Sequence, residues 1–422
     1  MKETKLKYLD EPIYYEKLSN GLQVYIIPKH DVKNYDVNLT VKYGSCDTNY
    51  FIGKKEYSDP LGTAHYLEHQ LFNMEDEKSF SKFSSYGTIA NASTSYFVTK
   101  YYISGTKAFK DNFNYFLKML FTPFFTDESI EKERGIIEEE IKMNDDDIYW
   151  IMDNKTRNNL FNIHPIKNKI AGTIDSIKEI TKEDLYRVYN YFYIPNNMIL
   201  TISGNVDKDL IMDILHNNKL LDIKNHKIVR KEYKESPLTF SEYGEIYDNV
   251  TIPKLDYSFK IDKSKIKIKD DHLVNMYLST LFYLIFDEIS LFKEEVYNEN
   301  YCSRYDEGCS FVDNFCIFSI SADSNYADLF KDTVDKYLKN IKVDKEELDR
   351  VKKINIAGEI RNSDNVTRIA RFIQNNFIMY NKVYLDNIKY LKKMNIDELN
   401  DIIKSINFDN NSFVLMLPKN NE

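Results

Sequence analysis

The sequence predicts an α+β chain of two structurally related domains, each an antiparallel sheet packed against helices. Its 422 residues exceed what one ordinary hydrophobic core organises, so more than one domain is expected. Short runs rich in β-branched and aromatic residues are interleaved with longer stretches of helical apolar period. A weak internal repeat spans half the chain. Glu183-Asp184-Leu185 opens a helix that stops before Asn196-Asn197 and an apolar run, and Asp397-Glu398-Leu399 opens a similar helix that stops before Asn410-Asn411 and a second apolar run. Leu185 and Leu399 are separated by the same interval as Asn196 and Asn410, as a duplicated fold requires. The Lys/Glu-rich stretch 222–236 has no apolar period and reads as a linker. It divides the chain into a first domain over 1–221 and a second over 237–422.

Taken in order, residues 12–15, 23–28 and 37–43 read as strands, with Asn20-Gly21 as a hairpin turn. A helix is expected to start near Ser58-Asp59-Pro60, which offers a capping carboxylate and a proline for the first turn. Helical periods follow at 80–86, 107–120, 126–144 and 182–191. Residues 89–104 alternate as a strand, and 198–204 form another.

Composition narrows the function. Hydrophobic residues make up 43% and aromatics 14% of the chain, enough for packed cores and against global disorder. A formal net charge of -9 opposes general nucleic-acid binding, which needs a basic surface. Four cysteines without a CxxC pair give neither a disulfide framework nor a structural zinc site. The N-terminal MKETKLKYLDEPIYYEKL lacks the apolar core of a signal peptide. The dense apolar stretch 281–286 is too short to span a bilayer. The expectation is a cytoplasmic chain with no membrane or nucleic-acid partner.

The chemistry is concentrated in Leu61-Gly62-Thr63-Ala64-His65-Tyr66-Leu67-Glu68-His69-Gln70-Leu71-Phe72. On a helix, His65 and His69 project from one face a turn apart, with Glu68 on the same arc. Two imidazoles so placed can both reach one Zn²⁺ at about 2.0–2.1 Å, and the neighbouring carboxylate can take a proton from metal-bound water. The pattern is H-x-x-E-H, the inverse of H-E-x-x-H. The alternative is a helix face with incidental histidines. Leu61 and Phe72 share that arc, however, and unpaired polar groups inside an apolar stripe are costly to bury. A catalytic zinc uses three protein ligands and keeps an open position. The 126–144 helix supplies candidates: Glu133 and Glu140 fall on its apolar stripe of Ile130, Ile137 and Ile141, whereas Glu138 and Glu139 point away as a solvated acidic run.

With these residues in view, the chain resembles the pitrilysin/insulinase family of zinc metallopeptidases. It is most similar to compact two-domain bacterial members that pair as dimers and to the mitochondrial processing peptidase subunits. The matching segments are 65–72 (HYLEHQLF), 90–94 (ANAST), 131–143 (EKERGIIEEEIKM) and 180–204, and the resemblance is looser beyond about residue 215. It implies that His65, His69 and Glu140 hold Zn²⁺, that Glu68 is the general base and that Glu133 supports the site. It also implies that Asn91, Ala92, Ser93 and Thr94 form an edge strand to which a peptide substrate pairs, and that Leu71 and Phe72 line an apolar pocket near the scissile bond.

In many members an Arg and a Tyr from the second half reach into the active site. Here Tyr297 stands where the Arg is expected, and either Arg304 or Tyr305 lies near the Tyr position. That departure fits the zinc-bearing half of a split dimer whose related partner supplies the Arg/Tyr pair; a homodimer is the other arrangement. The implied function is a zinc-dependent endopeptidase that hydrolyses peptides or unfolded segments inside a chamber formed by two domains or two subunits. A non-catalytic scaffold or chaperone-like subunit would typically have lost a ligand or the base, and all four positions are intact. A dedicated maturation protease for a ribosomally made peptide shares the chemistry and differs only in substrate.

Overall fold

The computed structural model describes residues 1–75 and 79–419. The chain forms two compact units that are interleaved in sequence. The first comprises Met1–Met143, Asn168–Glu232 and Ile360–Leu385; the second comprises Asn144–Lys167, Tyr233–Glu359 and the residues from Asp386 on. One passage between them, at Glu232–Tyr233, falls inside 222–236, but that segment is not a bare tether. Val229–Arg230 adds a short antiparallel strand to Tyr50 and Phe51. Glu235 accepts the backbone N–H groups of Asn162, Ile163 and His164 at 2.8–3.0 Å, and its carboxylate pairs with the buried Lys260 Nζ at 3.2 Å. A polar sequence without apolar period is thus held by strand pairing and a buried charge, neither of which periodicity reports.

The first unit is built on a seven-stranded sheet in the order Lys2–Thr4, Ile13–Lys17, Gln23–Pro28, Met198–Gly204, Tyr35–Val41, Thr99–Gly105, Ile89–Thr94. Only the Gln23–Pro28 and Met198–Gly204 pair is parallel. The stretch read as one strand over 89–104 is two, joined by a turn in which Ser95 N–H donates to Val98 C=O at 2.8 Å. The turn, 95–98, contains no Gly, Pro or Asn, so no turn residue marks it; across it the inward-facing positions pass from 90, 92 and 94 to 99, 101 and 103.

The second unit carries a five-stranded sheet in the order Tyr243–Asp248, Asn411–Pro418, Lys254–Asp262, Phe315–Asp323, Arg304–Val312. Its first pair is parallel and the rest are antiparallel. That is the order and sense of Gln23–Pro28, Met198–Gly204, Tyr35–Val41, Thr99–Gly105 and Ile89–Thr94, so the duplication signalled by the internal repeat is present in the topology.

Each unit also contains a helix from the other half of the sequence. In the first unit, Val366–Tyr380 packs Ile369, Ile373 and Phe377 against Tyr25, Ile27 and Ile199. Gln374 Nε2 donates to Thr201 Oγ1 at 2.8 Å. In the second, Ile148–Leu160 packs Met152 against Val414 and Met416, and Asn159 Nδ2 donates to Ser412 Oγ at 3.0 Å. Each apolar side chain so buried stabilises its unit by about 1.5–3 kcal/mol.

Candidate metal centre

The H-x-x-E-H segment lies on the Thr63–Gln70 helix of the first unit. Ser58-Asp59-Pro60 does not cap it. Asp59 is buried and pairs with Arg187, and the helix starts after Gly62, whose φ of 91° is left-handed. A Cβ there would stand 2.4 Å from the Ala171 carbonyl oxygen, so only glycine suits this entry. The helix is short and buried on nearly every side, and its position comes from hydrogen bonds to the neighbouring helix, Asp127–Asp145. The Tyr66 hydroxyl donates to the Ile130 carbonyl, Gln70 Nε2 donates to Ser129 C=O at 3.0 Å, and Ser129 Oγ donates to Gln70 Oε1 at 2.9 Å. Thr126 and Ser129 exchange side-chain and backbone bonds at the start of that helix. Its buried stripe is Ile130, Ile137 and Ile141, which turns Glu133 and Glu140 towards the histidines.

His65 Nε2 lies 3.5 Å from Glu140 Oε1, and His69 Nε2 lies 3.5 Å from Glu140 Oε2. His69 Nδ1 is 3.3 Å from Glu133 Oε2; in the neutral ring, donation from Nδ1 to that carboxylate leaves the Nε2 lone pair for a metal. Ligand atoms on a tetrahedral zinc with bonds of about 2.0–2.1 Å stand about 3.3–3.4 Å apart, so His65, His69 and Glu140 have the donor types and spacing that such an ion requires. Among the described residues no other three His, Cys, Asp or Glu side chains gather so closely. The electrostatics also favour a cation. Hydrogen bonds from His65 and His69 hold the Glu140 carboxyl well below the usual carboxylate range. Burial opposes charge on His69, yet its hydrogen bonds with Glu133 and Glu140 outweigh burial and push its pKa up to about 9.

Glu68 is buried beside this trio without joining it, and its Oε2 accepts a hydrogen bond from Thr94 Oγ1 at 2.5 Å. Glu139 is exposed and paired with Lys142. Ile89–Thr94 is the terminal strand of the seven-stranded sheet. Asn91 and Ser93 are exposed, whereas Ala92 and Thr94 are half-buried on the other face. Leu71 differs from the expectation. It is wholly buried in the core and offers no surface to a pocket. Phe72 is half-buried and stacks on Phe80 at 4.4 Å.

Arg304 and Tyr305 lie in the second unit. Arg304 is exposed and pairs with Asp306 at 2.6 Å. The Tyr305 hydroxyl donates to the Phe286 carbonyl at 2.8 Å, and its ring packs edge-on to Phe292. The helix that packs on the Arg304–Val312 edge, Asp271–Phe286, buries Leu278, Leu281 and Phe282 and contributes to no comparable donor group among the described residues. Sequence reading missed Tyr66, Gln70 and Ser129, which dock the two helices. Only the T-x-x-S spacing of Thr126 and Ser129 signalled a helix start there.

Two related sheets, one flanked by an H-x-x-E-H helix with a distal glutamate, define the class, and comparisons with known proteins agree. Residues 26–174 match the family described as Insulinase (Peptidase family M16), and residues 179–355 match the one described as Peptidase M16 inactive domain. The uncharacterised zinc protease YmfH of Bacillus subtilis is 33% identical over 420 residues, 96% of each chain. A candidate M16-like peptidase from Alicyclobacillus acidocaldarius has the same fold, with a TM-score of 0.89 at 24% identity over 98% of this chain and 100% of that one. A Helicobacter pylori protease follows at 0.81 and 21%, over 96% and 99%. The chain belongs to the insulinase family, peptidase family M16.

Proposed function

We propose that the protein is a zinc-dependent endopeptidase acting on peptides or unfolded segments. The observation that carries this reading is the convergence of His65 Nε2, His69 Nε2 and the Glu140 carboxylate at 3.5 Å, with the Glu68 carboxylate beside them and outside the donor set. His65, His69 and Glu140 would hold the ion, and Glu133 would fix the His69 tautomer. Bound zinc supplies Lewis-acid polarisation of the scissile carbonyl and acidification of water. Glu68 takes the proton of the attacking water and returns it to the leaving amine. The Ile89–Thr94 edge offers backbone groups to an extended substrate, which gives affinity with little sequence preference. The zinc-protease name of YmfH supports the reading. The match to a domain described as inactive covers residues 179–355, and His65, His69 and Glu140 lie outside that range.

The test is metal analysis of the purified protein together with cleavage of an unstructured peptide. About one zinc per chain is expected. Glu68→Gln, which keeps shape but removes the base, should retain the zinc and lose about 10²–10⁴-fold in turnover. A variant that turns over like the parent would overturn the assignment of Glu68.

A further inference from the structure

We propose that Thr94 is a positioning residue that fixes which oxygen of Glu68 acts as the base; the proposal rests on reading Glu68 as that base. Thr94 is the last residue of the Ile89–Thr94 edge strand. Pairing of Thr94 with Thr99, Ala92 with Tyr101 and Ala90 with Ile103 puts these side chains on one face of the sheet. The Thr63–Gln70 helix packs on this edge of the sheet. Thr94 Oγ1 lies 2.5 Å from Glu68 Oε2. An ionised carboxylate can only accept, so the threonine hydroxyl donates. Thr99 Oγ1, 3.5 Å from Thr94 Oγ1, gives its own proton to the Tyr43 carbonyl at 2.9 Å and does not compete for Glu68. Among the described residues Thr94 is the one hydrogen-bond donor to Glu68.

The terminal torsion of a glutamate is broad and nearly two-fold. Without an anchor the buried carboxylate would present either oxygen over a range of angles. With Oε2 held by Thr94, Oε1 is the oxygen left to accept a proton. The anchor sits on the strand proposed to bind substrate, so the segment that registers the peptide also orients the base. Misplacement of a reacting group by about 1 Å can cost on the order of 10²-fold.

The experiment compares Thr94→Val, which removes the hydroxyl at nearly constant shape, with Thr94→Ser, which keeps it. Loss of a hydrogen bond to a charged group corresponds to about 10- to 100-fold in rate. Thr94→Val should lower kcat by that factor, with KM and zinc content unchanged, and Thr94→Ser should recover to within a few-fold of the parent. In crystals, the Glu68 carboxylate should keep one orientation in Thr94→Ser and rotate in Thr94→Val. Adding Thr94→Val to Glu68→Gln should cost nothing further, because the two act as a unit. The proposal is overturned if Thr94→Val keeps the parent kcat and carboxylate orientation, if Thr94→Ser falls as far as Thr94→Val, or if the loss is in KM. Should Glu68→Gln be inactive while Thr94→Val is not impaired, only the positioning role fails. Should Glu68→Gln remain active, the base assignment fails with it.

Discussion

Glu138, Glu139 and Glu140 are adjacent in sequence and differ in surroundings, and helix phase separates them. Glu140 faces both histidines, whereas Glu139 is exposed and bonded to Lys142 at 2.6 Å. Glu140→Gln should empty the zinc site, whereas Glu139→Gln should leave the metal content at that of the parent; elemental analysis after desalting reads both. Glu133→Gln removes the carboxylate that orients His69 and should weaken zinc binding by about 10–100-fold, measured by competition with a chelator. If Glu139→Gln is the variant that loses the metal, the ligand assignment is wrong. That His65 and His69 share one helix face, and Glu133 and Glu140 another, was legible in helical spacing; that the two faces meet was an expectation from the family resemblance. The partner of Glu68 was not legible, because Thr94 reaches it through a strand pairing that no local period encodes.

At the scale of elements, the boundaries that sequence reading set well are those where apolar period and backbone state agree, as in Gln23–Pro28 and Met198–Gly204. The start of the Thr63–Gln70 helix was misplaced because Asp59, a good cap by type, is taken by Arg187. The real start depends on Gly62, whose conformation is set by its approach to Ala171. Gly62→Ala combines a left-handed φ with that approach and should destabilise the first unit by at least about 1–3 kcal/mol, with zinc lost in parallel. Tyr66→Phe leaves the Ile130 carbonyl without the tyrosine hydroxyl and should cost about 1–3 kcal/mol. Urea denaturation followed by circular dichroism measures both. An unchanged midpoint in Gly62→Ala would show that the helix entry relaxes without strain.

At the scale of the whole molecule, the division at 222–236 was drawn from composition, whereas the units are defined by which helix covers which sheet. The Val366–Tyr380 helix belongs to the unit that holds the donor group, although its residues lie in the second half of the sequence. Ile373→Ala should therefore destabilise the first unit by about 2–5 kcal/mol, seen as a lower urea midpoint. A fragment of residues 1–232 should be insoluble or unfolded when made alone, and co-expression with 233–422 should restore it. A soluble, zinc-loaded 1–232 fragment would refute this dependence. The intact chain has Tyr297 at the expected Arg position, Arg304 bound to Asp306 and the Tyr305 hydroxyl bound to a backbone carbonyl. We expect it to cleave peptides slowly alone and about 10- to 100-fold faster with a related subunit that supplies an Arg/Tyr pair. Equal rates with and without that subunit would remove the need for it.

The reciprocal placement of the two helices also orders the protein's biosynthesis. A ribosome releases His65, His69 and Glu140 early, but the sheet face of Tyr25, Ile27 and Ile199 stays bare until Phe377 has been translated. The nascent first unit therefore passes most of its synthesis with an uncovered apolar face. A chain cut short by premature termination before that helix would remain incompletely folded, so an unfinished copy would be a poor hydrolase and a ready substrate for quality control.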